Sequence, residues 1–228
     1  KIYRLSAKIG PVNFFGIKEL PDGQLIFPAP DFNFYLLNGD TLQTCGDNIQ
    51  PYVKNGVNSR WNLCVAGLLY EKHQYWCSFC YKSGATTSDR TLVMDYSRPY
   101  SDKWGKTQYP WFIYDIAANC FAEINLTGRA FLYHGGYAGK MYKDDTGTND
   151  DNTAFTSYWR GKSYDFGDST LEKKFDNIEM SYESKGNWDL TMTFVADNNA
   201  STEKVINQSM LSGIDTDTAL WDFVFHLW

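Results

Sequence analysis

The stretch Trp188-Asp189-Leu190-Thr191-Met192-Thr193-Phe194 alternates apolar and polar residues without a break. Successive side chains of a β-strand point to opposite faces of its sheet, so Trp188, Leu190, Met192 and Phe194 would share one face. The pattern predicts a strand with one buried and one solvent-facing side.

A second alternating stretch, Ile178-Glu179-Met180-Ser181-Tyr182, lies just upstream. Between the two stretches, Ser184-Lys185-Gly186-Asn187 has the composition of a tight turn. We therefore predict that the two stretches form a hairpin.

Looser versions of the strand pattern recur upstream in three groups, and no segment keeps a 3.6-residue apolar period over three turns. We expect little helix. The predicted strands are 13–19, 24–28 and 32–37 in the first group; 63–70, 74–81, 92–96 and a strand near Trp104 in the second; and 120–124, 130–133 and 139–143 in the third.

The third strand of each group aligns with the others around Phe34, Met94 and Met141, at spacings of 60 and 47 residues. Four-stranded propeller blades repeat every ~40–50 residues, and neighbouring blades bury large flat side chains against each other. Aromatic residues make up 17% of the chain. We predict an all-β fold with β-propeller-like four-stranded meanders over 1–152, in a complete or incomplete propeller. A C-terminal antiparallel blade or β-sandwich sheet is predicted over 153–228.

The chain starts at Lys1 without a methionine and ends in the apolar run 220–228. The expectation is either a piece of a larger polypeptide or a terminal strand that takes a partner from elsewhere. Because an open edge rich in Trp and Phe would aggregate, we predict that this last strand is paired.

Several short motifs resemble the C-terminal part of β-propeller structural proteins of tailed phages. They are Asp22-Gly23-Gln24-Leu25-Ile26-Phe27, Phe34-Tyr35-Leu36-Leu37-Asn38-Gly39, Tyr75-Trp76, Leu92-Val93-Met94-Asp95-Tyr96, Lys103-Trp104, Gly139-Lys140-Met141-Tyr142, Trp159-Arg160, Asp165-Phe166-Gly167 and Lys173-Lys174-Phe175. The resemblance implies a structural role in the virion, in the tail hub, head-to-tail adaptor or DNA-stabilisation layer. It implies assembly with other virion proteins and with copies of itself, and no enzymatic activity.

Composition narrows the range of partners. The formal net charge of −6 argues against broad adhesion to DNA, RNA or anionic lipid, so we do not expect nucleic acid as a direct ligand. No apolar run approaches the ~20 residues that span a bilayer, and no membrane partner is expected. The many aromatic residues exclude intrinsic disorder.

The five cysteines, at 45, 64, 77, 80 and 120, lie in apolar, strand-like segments and are interpreted mostly as buried free thiols. Cys77 and Cys80 form a C-x-x-C pair, but residues three apart in a strand point to opposite faces. The three histidines add no ligand pair at metal-binding spacing. We assign no catalytic, cofactor-binding or metal-binding residue and expect no cofactor.

The alternative function is a carbohydrate-binding or glycoside-hydrolysing propeller, such as a receptor-binding tail part. A glycosidase uses two carboxylates, and acidic residues stand at predicted strand ends, where turn chemistry is the favoured explanation for them. They are Asp22, Asp31, Asp40, Asp95 and Asp115.

Two further features carry open alternatives. The acidic run 143–152 suits a hard cation or a solvated loop, and His134 suits a catalytic or a structural role. The aromatic residues near 96–111 would pack over the sheet, stack on sugar, or contact a subunit. They are Tyr96, Tyr100, Trp104, Tyr109 and Trp111.

Overall fold

The computed structural model describes residues 9–146, 158, 160–161, 173–181, 188–195, 204–210 and 218–227. The chain divides into two compact units, residues 1–154 and 155–228. In the described part of the chain, no helix has the length and apolar character needed to cross a membrane.

The described residues of the first unit form three antiparallel meanders of three or four strands each, in which strands that follow one another along the chain are neighbours. Sheet 1 consists of β1 (Lys18–Glu19), β2 (Leu25–Pro28), β3 (Phe34–Asn38) and β4 (Thr41–Thr44). Sheet 2 consists of β5 (Val65–Leu69), β6 (Gln74–Phe79), β7 (Arg90–Asp95) and β10 (Trp111–Tyr114), with a separate small hairpin of β8 (Tyr100–Ser101) and β9 (Thr107–Gln108) inserted before β10. Sheet 3 consists of β11 (Cys120–Leu126), β12 (Arg129–Gly135) and β13 (Met141–Lys143).

Helical segments are few and short, as predicted. The described residues contain the α-helix α1 (Gln50–Lys54) and 3₁₀ turns at Asn58–Leu63 and Tyr70–Lys72. The all-β prediction is confirmed, and the three aligned segments are indeed the third strands of their sheets.

The strand predicted near Trp104 is wrong, because Trp104 lies in the turn of the β8–β9 hairpin. Asp102 Oδ1 accepts hydrogen bonds from the backbone N–H groups of Trp104 and Lys106, both at 2.9 Å. Gly105 occupies the left-handed region with φ of 78°. This turn chemistry interrupts the strand, and β10 is the fourth strand of sheet 2 instead. In sheet 1, the fourth strand β4 was not predicted, and β1 is shorter than the predicted 13–19.

Sheets 1 and 2 pack face to face through an aromatic cluster. Phe34 lies at the centre of this cluster, with ring centroids 5.7 Å from Trp61, 6.1 Å from Tyr75 and 4.5 Å from Trp111. Phe34 is completely buried. Edge-on and tilted ring pairs of this kind add to the free energy gained by burying the rings.

Sheets 2 and 3 pack through a smaller contact on the other face of sheet 2. Leu69, Trp76 and Val93 of sheet 2 are buried against Leu132 and Phe121 of sheet 3. A strand-on-strand approach this close requires a small residue, and Gly67 supplies it in β5. A Cβ added at Gly67 would lie 2.7 Å from both Leu132 Cδ1 and Phe121 Cβ.

The first strands of the three sheets meet at Glu123 of β11. Its Oε1 accepts a hydrogen bond from Lys18 Nζ of β1 at 3.0 Å and from the backbone N–H of Leu68 in β5 at 2.9 Å. One carboxylate therefore contacts all three sheets.

The described residues of the second unit form two strand pairs. β14 (Lys173–Ser181) pairs with β17 (Thr218–Leu227), and β15 (Trp188–Phe194) pairs with β16 (Lys204–Met210), all antiparallel. The prediction that the last strand is paired is confirmed.

The predicted hairpin of 178–182 with 188–194 is wrong. β16 matches all seven residues of β15 in register, and β14 begins at Lys173, upstream of the predicted stretch, and pairs with β17 with one register shift between Phe175 and Asn177. Longer pairing satisfies more backbone donors and acceptors, and this favours the distant partners over the nearby turn.

Candidate functional site

The outer face of sheet 3, turned away from sheet 2, is apolar and open. The pairing of β11 with β12 and of β12 with β13 places one set of side chains on this face. Leu126 is 45% exposed and Met141 is 66% exposed. The apolar residues of this face are Cys120, Ala122, Ile124, Leu126, Phe131, Tyr133 and Met141.

Two cations border the outer face of sheet 3. Lys143 Nζ lies 3.4 Å from the ring centroid of Phe131, and the Arg129 guanidinium lies 5.9 Å from the same centroid. Arg129 also forms two hydrogen bonds with the carboxylate of Glu71, at 3.1 and 3.2 Å, and these raise the pKa of Arg129. Because Glu71 offsets the charge of Arg129, Lys143 supplies the positive charge at the border of this apolar face.

The outer face of sheet 1 is also apolar but carries the opposite charge. Pairing places the half-buried Leu25, Leu37 and Leu42 on one face. Ile9 and Ile17 cover part of this face and leave a groove of about 200 Å³. Glu19, which pairs with Leu25, and Asp40, which lines the groove, are both exposed. The groove is lined by Ile9, Gly10, Pro11, Ile17, Leu25, Phe27, Leu37, Asp40 and Leu42.

A polar cavity of about 400 Å³ lies where the β5–β6 turn meets the end of β7. Its carboxylates are engaged within the chain, since Glu71 binds Arg129 and Asp95 Oδ1 accepts from the backbone N–H and the hydroxyl of Ser97. The lining residues are Glu71, Lys72, His73, Gln74, Asp95, Ser97, Arg98 and Phe112.

Some of the aromatic residues near 96–111 are buried in the core, and others are exposed to solvent. Tyr109 is buried, and Trp111 Nε1 donates to the Cys45 carbonyl at 3.0 Å. Trp104 is 79% exposed, with Lys103 Nζ 4.2 Å from its ring centroid, and Tyr100 is also exposed. Tyr96 packs against the aromatic cluster, and burial raises its pKa to about 12.

Three of the five aspartates identified in the sequence accept hydrogen bonds from backbone N–H groups close to them in the chain. Asp22 Oδ1 accepts from the Gln24 N–H, and Asp31 Oδ1 accepts from the Asn33 N–H. Asp115 instead forms an ion pair with Arg90 of β7, at 3.0 Å. Turn chemistry thus accounts for Asp22 and Asp31, as it does for Asp95.

His134 belongs to a buried pair that the sequence analysis missed. Its Nδ1 lies 2.6 Å from Asp144 Oδ1, and its ring stacks on Tyr142 at 5.0 Å. Asp145, next in the acidic run, forms an ion pair with Lys72. The prediction for the rest of the run, 147–152, lies outside the described residues.

Four of the five cysteines are buried, as predicted, and burial raises the pKa of the Cys45 and Cys80 thiols. Cys120 differs, because it is exposed on the outer face of sheet 3. Within the described residues, no group of three His, Cys, Asp or Glu side chains is arranged to hold a metal ion.

A scan against protein-family models finds no match to this chain, and a search of curated proteins finds none either.

Proposed function

We propose that this protein is a structural component of a tailed-phage virion and acts through protein–protein assembly in the tail hub or head-to-tail connector region. The exposed apolar face of sheet 3 and the apolar groove on sheet 1 carry this proposal. Contiguous exposed apolar surface is typical of protein interaction sites. The resemblance of the strand motifs to phage propeller proteins supports the same role.

We further propose that the three sheets are propeller blades. Three features support this arrangement. Each sheet is a meander in chain order, and each packs on the next face to face. The first strands meet at Glu123, as the innermost strands of blades would.

The proposal is tested on phage particles whose genome encodes this sequence. We expect mass spectrometry of purified particles to detect the protein at a constant ratio to the major head protein. A stop codon early in its gene should yield heads and tails that fail to join, as seen by electron microscopy, and supply of the protein in trans should restore joining. Purified infectious particles without the protein would refute the proposal.

A second candidate function is carbohydrate binding in a receptor-binding tail part. The polar cavity, which is lined by the aromatic ring of Phe112, favours it, as does the exposed ring of Trp104. Binding to a glycan array that is lost in Trp104→Ala or Asp95→Asn, and kept in the control variant Lys54→Ala on α1, would support this function. Release of reducing ends from a bound polysaccharide would extend it to hydrolysis.

A further inference from the structure

Sheet 2 shows how this chain covers an apolar sheet face. One of its faces is buried by sheet 1 and the other by sheet 3, in both cases through direct side-chain packing. Within the described part of the first unit, no further sheet covers the outer faces of sheets 1 and 3, although Ile9 and Ile17 cover part of sheet 1. The same packing mode would continue if another sheet of similar composition were supplied.

The two outer faces complement each other. Sheet 3 presents Met141, its most exposed apolar side chain, next to the cation Lys143. Sheet 1 presents the apolar groove, with the carboxylates of Asp40 and Glu19 beside it. An unbranched methionine adapts its shape to an irregular apolar groove, and opposite charges fix the orientation of two docking surfaces.

We propose that copies of this chain bind one another by packing the outer face of sheet 3 of one copy onto the outer face of sheet 1 of the next. Met141 enters the groove, and Lys143 faces Asp40 and Glu19. The contact joins two different surfaces, so each pair of copies retains one free face of each kind, and addition continues until a ring closes. This inference rests on the proposed assembly role and names the partner for it.

The main test is the molar mass of the purified chain by light scattering over a range of concentrations. We expect the mass to rise with concentration to a small closed oligomer. Met141→Asp should weaken association about thirtyfold, as loss of a central interface side chain does. Circular dichroism and thermal unfolding establish that the variant is folded.

Charge reversal tests which faces meet. Lys143→Asp and Asp40→Lys should each weaken association about tenfold by placing like charges together, and the double variant in one chain should recover it. Lys103→Asp, at the exposed tip of the β8–β9 hairpin, is the matched control and should have no effect. Asp40, Lys103 and Lys143 are exposed, so the variants at these positions are expected to fold. They test the inference even if Met141→Asp fails to fold.

Cys120 supplies an independent readout, because it is the exposed cysteine and lies on the outer face of sheet 3. Its reaction with a maleimide should slow as the wild-type chain associates and stay fast in Met141→Asp. A chain that remains monomeric at every concentration, or an oligomer insensitive to Asp40→Lys, would overturn the inference. Neither result would contradict the proposed virion role. Absence of the protein from purified particles would contradict that role, whatever the oligomeric state of the purified chain.

Discussion

The two faces of sheet 2 are buried in different ways. The face toward sheet 1 is filled by large rings such as Phe34 and Trp61 that meet edge to face. The face toward sheet 3 depends on the missing side chain of Gly67, which lets Leu132 and Phe121 approach the backbone. The first interface gains its stability from buried area, and the second depends on close fit, so different substitutions should disrupt each.

The largest expected effect is the loss of a ring from the interface of sheets 1 and 2. Phe34→Ala should lower the free energy of unfolding by about 3–5 kcal/mol, because it removes a fully buried side chain and leaves a cavity. Urea denaturation measures the change. Phe14→Ala, at a mostly exposed ring, should change the stability by less than about 0.5 kcal/mol. Equal effects of the two substitutions would contradict the proposed central position of Phe34.

Added volume should disrupt the interface of sheets 2 and 3. Gly67→Ala should cost about 1–3 kcal/mol, since the new methyl group overlaps Leu132 and Phe121. Gly10→Ala is the matched control, because a Cβ at Gly10 meets nothing within 4 Å.

A second substitution sharpens this test. Leu132→Ala removes one of the atoms that the new methyl group meets, so Gly67→Ala should cost less in the Leu132→Ala background than alone. Strict additivity in urea denaturation would show that the two residues do not share the contact.

A smaller and pH-dependent effect is expected at the edge of the first interface, where Asp47 joins sheet 1 to the β8–β9 hairpin. Burial raises the pKa of Asp47, but hydrogen bonds from Lys106, Asn33 and Thr44 outweigh it, and the net pKa is lowered. Asp47→Asn should cost about 1 kcal/mol at neutral pH.

The sign of the pH dependence follows from the lowered pKa. The stabilisation by Asp47 is complete above the ordinary aspartate pKa of about 3.9 and is lost as the pH falls through the lower pKa of the folded state. Wild type and Asp47→Asn should therefore converge in thermal stability in strong acid. A gap that stays constant from neutral pH to acid would show that the carboxylate charge has no part in it.

The smallest effect is expected where the sheets converge. Lys18→Met removes the bond to Glu123 but keeps the bond from the Leu68 N–H, and Lys18 is partly exposed. The cost should be about 0.5 kcal/mol, decreasing with added salt because partly exposed ion pairs are screened. Glu123→Gln should cost more, as it weakens both bonds. The reverse order would contradict the view that Glu123 joins all three sheets.

Local sequence pattern was enough to predict most strands of the first unit. β6 and β7 are long, apolar and flanked by turn residues, and their pairing joins chain neighbours. β4 was not predicted because its sequence, Thr41-Leu42-Gln43-Thr44, is short and mostly polar. In the second unit, the partner of a strand is decided by the length of matching backbone, which is not visible from the turn between two strands.

The candidate surface was harder to predict because alternation does not reveal which face is buried. In β11, the face with Cys120, Ala122, Ile124 and Leu126 is the more apolar one. Packing on sheet 2 nevertheless selects the other face, because Phe121 fits beside Gly67. The contact between His134 and Asp144 could not be predicted for a related reason, because it depends on the register of β12 and β13.

The tip of the β8–β9 hairpin is a suitable position for an inserted marker peptide. Its tip at Trp104 is exposed to solvent, Gly105 already adopts a left-handed backbone, and Asp102 accepts hydrogen bonds from the backbone of the turn. Exposed loop tips accept inserted peptides with little cost to the fold. An epitope inserted after Trp104 would leave the outer faces of sheets 1 and 3 intact, and gold-conjugated antibody bound to it would show in micrographs where each copy sits.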